Sequence, residues 1–124
     1  MKYLGIDWGE ARIGIAIGDD EVKIASPYSV VSAPEEIIGI IKEEEIDCLV
    51  IGKPVSLVDP NFPVSKKFEK FVNFLKENTA VEIEFLDERL SSKAADALAG
   101  DKKTKASRDE IAAMLILQQF LDQQ

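Results

Sequence analysis

Met1-Lys-Tyr-Leu-Gly-Ile-Asp-Trp-Gly-Glu-Ala-Arg-Ile-Gly-Ile-Ala-Ile-Gly-Asp-Asp20 is the stretch that decides the fold. Leu4 and Ile6 mark one strand, and Ile13, Ile15 and Ile17 alternate with Gly14, Ala16 and Gly18 along a second. Asp7 to Arg12 fill the turn between them, so the pair reads as a β-hairpin. Asp7 then stands at the end of a strand that the core should bury. A carboxylate there costs free energy unless it is paired, hydrogen-bonded or bound to a metal. The small residues of the second strand leave one face nearly bare, open to close approach by a backbone or a ligand. The pattern asks for phosphate or metal chemistry beside Asp7.

The bulk numbers narrow the chemistry further. A chain of 124 residues, 46% hydrophobic and 31% charged, reads as one globular domain with a single core. No apolar run reaches the length of a membrane span, and the start lacks the layout of a signal peptide, so a cytoplasmic location is expected. The single cysteine, Cys48, sits in the apolar run Cys48-Leu-Val-Ile51 and reads as a buried small hydrophobe. There is no histidine. That excludes Ser-His-Asp and Cys-His catalysis and most zinc sites, and leaves oxygen donors suited to magnesium or manganese. A net charge of −8 argues against a broad nucleic-acid surface without excluding a locally basic groove.

Outward from the hairpin, Asp19-Asp20 makes a turn, and Glu21 to Val31 reads as a third strand interrupted near Pro27. Ser32-Ala-Pro-Glu35 predicts a helix start with Ser32 at the N-cap, and Ile37, Ile38, Ile40 and Ile41 give its apolar face. Cys48 to Ile51 reads as a strand buried on both faces. Residues 53–63 form the longest irregular stretch. Val64, Phe68, Phe71, Val72 and Leu75 recur at helical spacing up to Asn78-Thr79. Val81, Ile83 and Phe85 alternate with Glu82 and Glu84, which predicts a strand with one buried and one wet face. Ser91 or Ser92 caps a short helix through Ala99, and a basic loop follows. Ser107-Arg-Asp-Glu110 is a second capping box opening a last helix whose run from Ile111 to Leu117 should be buried. The sum is an α/β fold, a mixed sheet with helices on its faces.

In open α/β sheets, sites form at the carboxyl ends of strands. Asp7 ends the first strand and Glu88 lies just past the last, while Asp109 falls in the first turn of the final helix. Three converging carboxylates suit phosphodiester hydrolysis by two divalent ions about 3.5–4 Å apart. Each acid also has a plainer reading: Asp7 as a turn former, Glu88 as a surface ion-pair member, Asp109 as an acid favoured by the helix dipole. Lys102, Lys103, Lys105 and Arg108 read either as a solvated loop or as phosphate contacts. Arg12 and Arg89 each follow an acidic candidate and suit a salt bridge or a phosphate clamp.

Three segments carry a resemblance: Gly5-Ile-Asp-Trp-Gly-Glu-Ala-Arg-Ile-Gly-Ile-Ala-Ile17, Asp87-Glu-Arg-Leu-Ser-Ser92 and Asp109-Glu-Ile-Ala-Ala-Met-Leu-Ile-Leu117. In this order the chain resembles the YqgF-type RNase H-like nucleases, described as pre-16S rRNA nucleases and as Holliday-junction-resolvase-like proteins. The first segment alone also resembles the opening of actin-like ATPases, which clamp nucleotide between two domains. The resemblance implies an RNase H-like fold, a five-stranded mixed sheet of order 3-2-1-4-5. It implies Mg2+ or Mn2+ held by Asp7, Glu88 and Asp109. It implies nucleic-acid contacts from Arg12 and Arg89, to which Lys93 and the loop at 102–108 are joined. In-line hydrolysis would leave a 5′-phosphate and a 3′-hydroxyl. The implied partner is structured nucleic acid, RNA in ribosome maturation ahead of a DNA junction, bound by a monomer or weak homodimer with no membrane role. A silent interaction module on the same fold is the remaining alternative. Ser91 and Ser92 stand where the family usually has threonines, and the loop beginning Lys53-Pro54 departs from its usual Leu-Pro.

Overall fold

The computed structural model describes residues 1–9, 11–53, 63–87 and 108–123. Strands β1 (Lys2–Asp7), β2 (Ile13–Asp19) and β3 (Ala25–Val31) are followed by α1 (Pro34–Glu43), β4 (Cys48–Lys53), α2 (Pro63–Asn78), β5 (Glu82–Asp87) and α3 (Arg108–Asp122). The strands form one mixed sheet of order β3-β2-β1-β4-β5. β1 pairs antiparallel with β2 and parallel with β4, and β4 pairs parallel with β5. Both the predicted hairpin and the predicted strand order are present. β1, rather than the Cys48 strand, is the centre.

Alternation along the strands sorts the core into two layers. Leu4, Ile6, Ile13, Ile15, Leu49 and Ile51 point to one face and pack with Ile37, Ile40 and Ile41 of α1 and Phe68, Phe71, Val72 and Leu75 of α2. Tyr3, Ala16, Cys48 and Val50 point to the other, against Ala113, Ile116, Leu117 and Leu121 of α3. β4 is thus buried on both faces, as its continuous apolar run requires. Cys48 is 1% exposed, and burial pushes its thiol up to about 11, so at neutral pH it is protonated and inert.

The third strand is shorter than its sequence suggests. Asp19 Oδ1 accepts the N–H groups of Glu21 at 3.0 Å and Val22 at 2.8 Å, and Lys23 adopts φ 59°. Glu21 to Ile24 are therefore turn, because the Asp19 carboxylate outcompetes strand pairing for those donors. Pairing resumes at Ala25, and a register shift leaves Tyr28 as the extra residue between Pro27 and Ser29. Pro27 sits on an edge strand, where its missing N–H is tolerated. The first helix begins one residue later than predicted. Pro34 opens it, Ala33 is the N-cap, and the Glu36 carboxylate accepts from the N–H groups of Ser32 at 2.9 Å and Ala33 at 3.1 Å.

Helix α3 is tied to the turn after β2 by one side chain. Gln118 Oε1 accepts the N–H of buried Ala25 at 2.9 Å, while Nε2 donates to the Lys23 carbonyl at 2.8 Å and to Asp122 at 3.1 Å. Truncation by Gln118→Ala orphans a buried donor and is expected to cost about 1–3 kcal/mol. Denaturant unfolding of parent and variant checks this; equal midpoints would refute it.

Phe85 departs from the predicted buried face of β5. It is 37% exposed, as β5 is the outer strand of the sheet, with Phe68 of α2 against one side of its ring. The short helix expected at 91–99 and the Ser107 cap lie outside the described residues.

Candidate active site

The carboxyl end of β1 meets the amino end of α3. Asp7 and Gly14 are directly opposed in the β1–β2 ladder, so their side-chain positions share a face. A Cβ built on Gly14 would overlap the carbonyl of Asp109, which means the first turn of α3 rests on the backbone of β2 at that point. One step down the helix, a Cβ on Gly5 would lie 2.8 Å from the Ala113 carbonyl and 2.7 Å from Leu117 Cβ. The bare stripe of the hairpin is therefore taken by a helix rather than by a ligand. Its consequence is chemical all the same. It allows α3 to seat closely enough that Asp109 arrives beside Asp7.

Asp7 is half-buried, projects to the α3 face, and lies in a row with Gly52 of β4 and Leu86 of β5. Trp8 turns to the opposite face, where its ring meets Phe68 at 5.6 Å and Phe71 at 6.3 Å. That anchors the turn from below. Arg12 closes it from above: its Nε stands 3.3 Å from Asp109 Oδ2, with side-chain exposures of 71% and 26%. An exposed pair of this kind contributes at most about 1 kcal/mol, so Arg12 is not a stability device. The positive end of the α3 dipole also points to this edge and favours anions there.

Of the site residues predicted from sequence, Arg12 and Asp109 are in contact, and the Asp109 backbone rests on Gly14, the ladder partner of Asp7. Arg108 is the first residue of α3. Glu88, Arg89, Lys93, Lys102, Lys103 and Lys105 lie outside the described residues. Among the described residues no three acidic or cysteine side chains cluster closely enough to hold a metal. The candidate donors are carboxylates, and Cys48 sits at the far end of β4, so their chemistry suits a hard divalent ion bound by oxygen. The sequence reading missed the purpose of Gly14 and Gly5. The signal was available in the matching small residue Ala113 on the last helix.

The chain is similar to known proteins both in sequence and in fold. A protein of Chloroflexus aurantiacus named "Putative pre-16S rRNA nuclease" is 33% identical over 130 residues, covering 96% of this chain and 85% of its own. Proteins of the same name from Rhodopirellula baltica and Mycoplasmoides gallisepticum are 37% and 35% identical, with 98% of this chain covered and 76% and 96% of theirs. Among solved structures, the fowlpox virus Holliday junction resolvase superposes with a TM-score of 0.59 at 14% identity, over 100% of both chains. Thermus thermophilus RuvC in complex with a Holliday junction substrate gives 0.57 at 13% identity, over 94% of this chain and 91% of its own. These two show the RNase H-like resolvase fold. The family model described as RuvX, Holliday junction resolvase, matches residues 1–123, and the chain belongs to that family of nucleases.

Proposed function

We propose that this chain is a divalent-metal-dependent endonuclease that trims the 5′ end of pre-16S rRNA in the cytoplasm, working as one domain across residues 1–124. The observation that supports the reading is the seating of the first turn of α3 on Gly14, the ladder partner of Asp7 at the carboxyl edge of the sheet. Glu88 is the third acid of the proposed set, two residues beyond Leu86, the β5 residue in row with Asp7. The names of the relatives favour RNA; the resolvase family and fold favour a four-way DNA junction as the second substrate.

Asp7, Glu88 and Asp109 would hold Mg2+ or Mn2+, which when bound supply water activation and charge neutralisation at the phosphate. Arg12 would exchange its Asp109 contact for a phosphate oxygen, and Arg89, Lys93, Lys102, Lys103, Lys105 and Arg108 would track the backbone of the substrate. With a net charge of −8, binding should be weak and fall steeply with salt. Ribosomal precursor particles are a fitting partner, since they would supply the surface the small domain lacks.

The test is cleavage of a pre-rRNA 5′-end fragment and a four-way DNA junction, side by side, with Mg2+ or Mn2+. Cutting of the RNA alone, abolished by EDTA, is expected. Cutting of the junction alone would transfer the activity to recombination with the same chemistry. If neither is cut, the nuclease reading falls and the interaction module stands.

A further inference from the structure

One cation at the carboxyl edge of the sheet belongs to neither the acidic set nor the basic loop. Lys53 ends β4 directly after Gly52, the register partner of Asp7. Strand alternation turns it to the face opposite Asp7. There its Nζ lies 5.1 Å from the centroid of the Phe85 ring. Phe85 meets Phe68 at 6.5 Å, and Phe68 meets Trp8 at 5.6 Å, the residue that follows Asp7. Trp8 and Phe68 pack into the α2-side core, so the row from Trp8 to Phe85 is a fixed floor beneath the strand ends.

On that floor Lys53 is exposed and Phe85 is more than a third exposed. A cation held over a partly exposed ring is attracted to it only weakly. That is enough to bias a flexible side chain towards one direction and too little to compete with a phosphate. Neighbouring strands lie about 4.8 Å apart, so the row Asp7–Gly52–Leu86 is about 10 Å wide. Lys53 ends the strand next to that of Asp7, so a polynucleotide strand lying across the strand ends comes within reach of its side chain from the opposite face. In a chain of net charge −8, such a strand needs cations placed where it runs.

We propose that Lys53 is a phosphate contact for the polynucleotide strand flanking the reacting bond, with Phe85 as the positioning residue that holds its ammonium at the strand ends. The substrate class rests on the nuclease reading above; the contact itself rests on the placement of Lys53, Phe85 and the strand ends. The plainer role for Lys53, a stem shielding an edge-strand aromatic, makes no demand on nucleic acid and is separated by salt dependence.

The experiment is fluorescence anisotropy of a labelled 16-nucleotide single-stranded RNA in EDTA, with salt varied at fixed temperature. Lys53→Gln is expected to weaken binding about fivefold at low salt and to reduce the slope of log K against log salt by about 0.7, the value for one phosphate contact on a single strand. Lys53→Arg should restore both. Phe85→Leu keeps an apolar side chain and should give a smaller loss, absent when Lys53 is already Gln. An unchanged slope in Lys53→Gln, or no binding by the parent, overturns the proposal. Binding through Lys53 by a protein that cuts no nucleic acid would instead overturn the nuclease reading and leave this contact standing.

Discussion

Asp7→Asn protein should melt with the parent yet cleave its substrate at least about a thousandfold more slowly, a loss of about 4 kcal/mol in transition-state stabilisation. The substitution keeps the shape of the side chain at the end of β1 and removes its charge. The neighbouring carboxylate of Asp109 then faces the edge with one anionic partner fewer, and a divalent ion loses a hard donor. Mn2+ should raise the melting temperature of the parent and leave that of the variant unmoved, because only the parent gains free energy from binding in the folded state. Cleavage by Asp7→Asn within tenfold of the parent would remove Asp7 from the site.

Gly14→Ala carries the second large effect, and it falls on stability and activity together. The new methyl group would overlap the Asp109 carbonyl, so the first turn of α3 must lift from β2. Backbone against backbone has no flexible end to give way, and about 3 kcal/mol is the expected cost, roughly 10–15 °C in Tm. Asp109 moves with the helix, so cleavage should fall as well. Gly39→Ala is the matched control. Its added methyl meets nothing within 4 Å, and in the middle of α1 it should stabilise by about 0.5–1 kcal/mol. A Gly14→Ala protein with the parent's melting temperature would contradict the seating of α3.

The sheet was legible because alternation along the hairpin, the continuous apolar run at Cys48 and the half-wet strand at Ile83 each have only one comfortable place in a mixed sheet. What sequence misjudged was local competition. The Asp19 carboxylate takes donors that strand β3 would have used, and Pro34 shifts the start of α1 past Ser32. Neither effect shows in hydrophobic periodicity. The pairing of Asp7 with Asp109 was legible in kind and not in cause: small residues on β2 announced a close approach without saying that a helix makes it. Lys53 was passed over because it sits at the start of an irregular stretch, and only the strand register sets it one residue past Gly52, the partner of Asp7.

The seating of α3 on β1 and β2 also governs when the site exists. Asp7 precedes Asp109 by most of the sheet, so a growing chain can form its hairpin well before it owns the last of the proposed carboxylates. At about 5–20 residues per second the interval is several seconds or more. During that time the glycine stripe is uncovered, and the proposed acid set is incomplete. The proposed centre is thus a property of long-range closure rather than of any local motif.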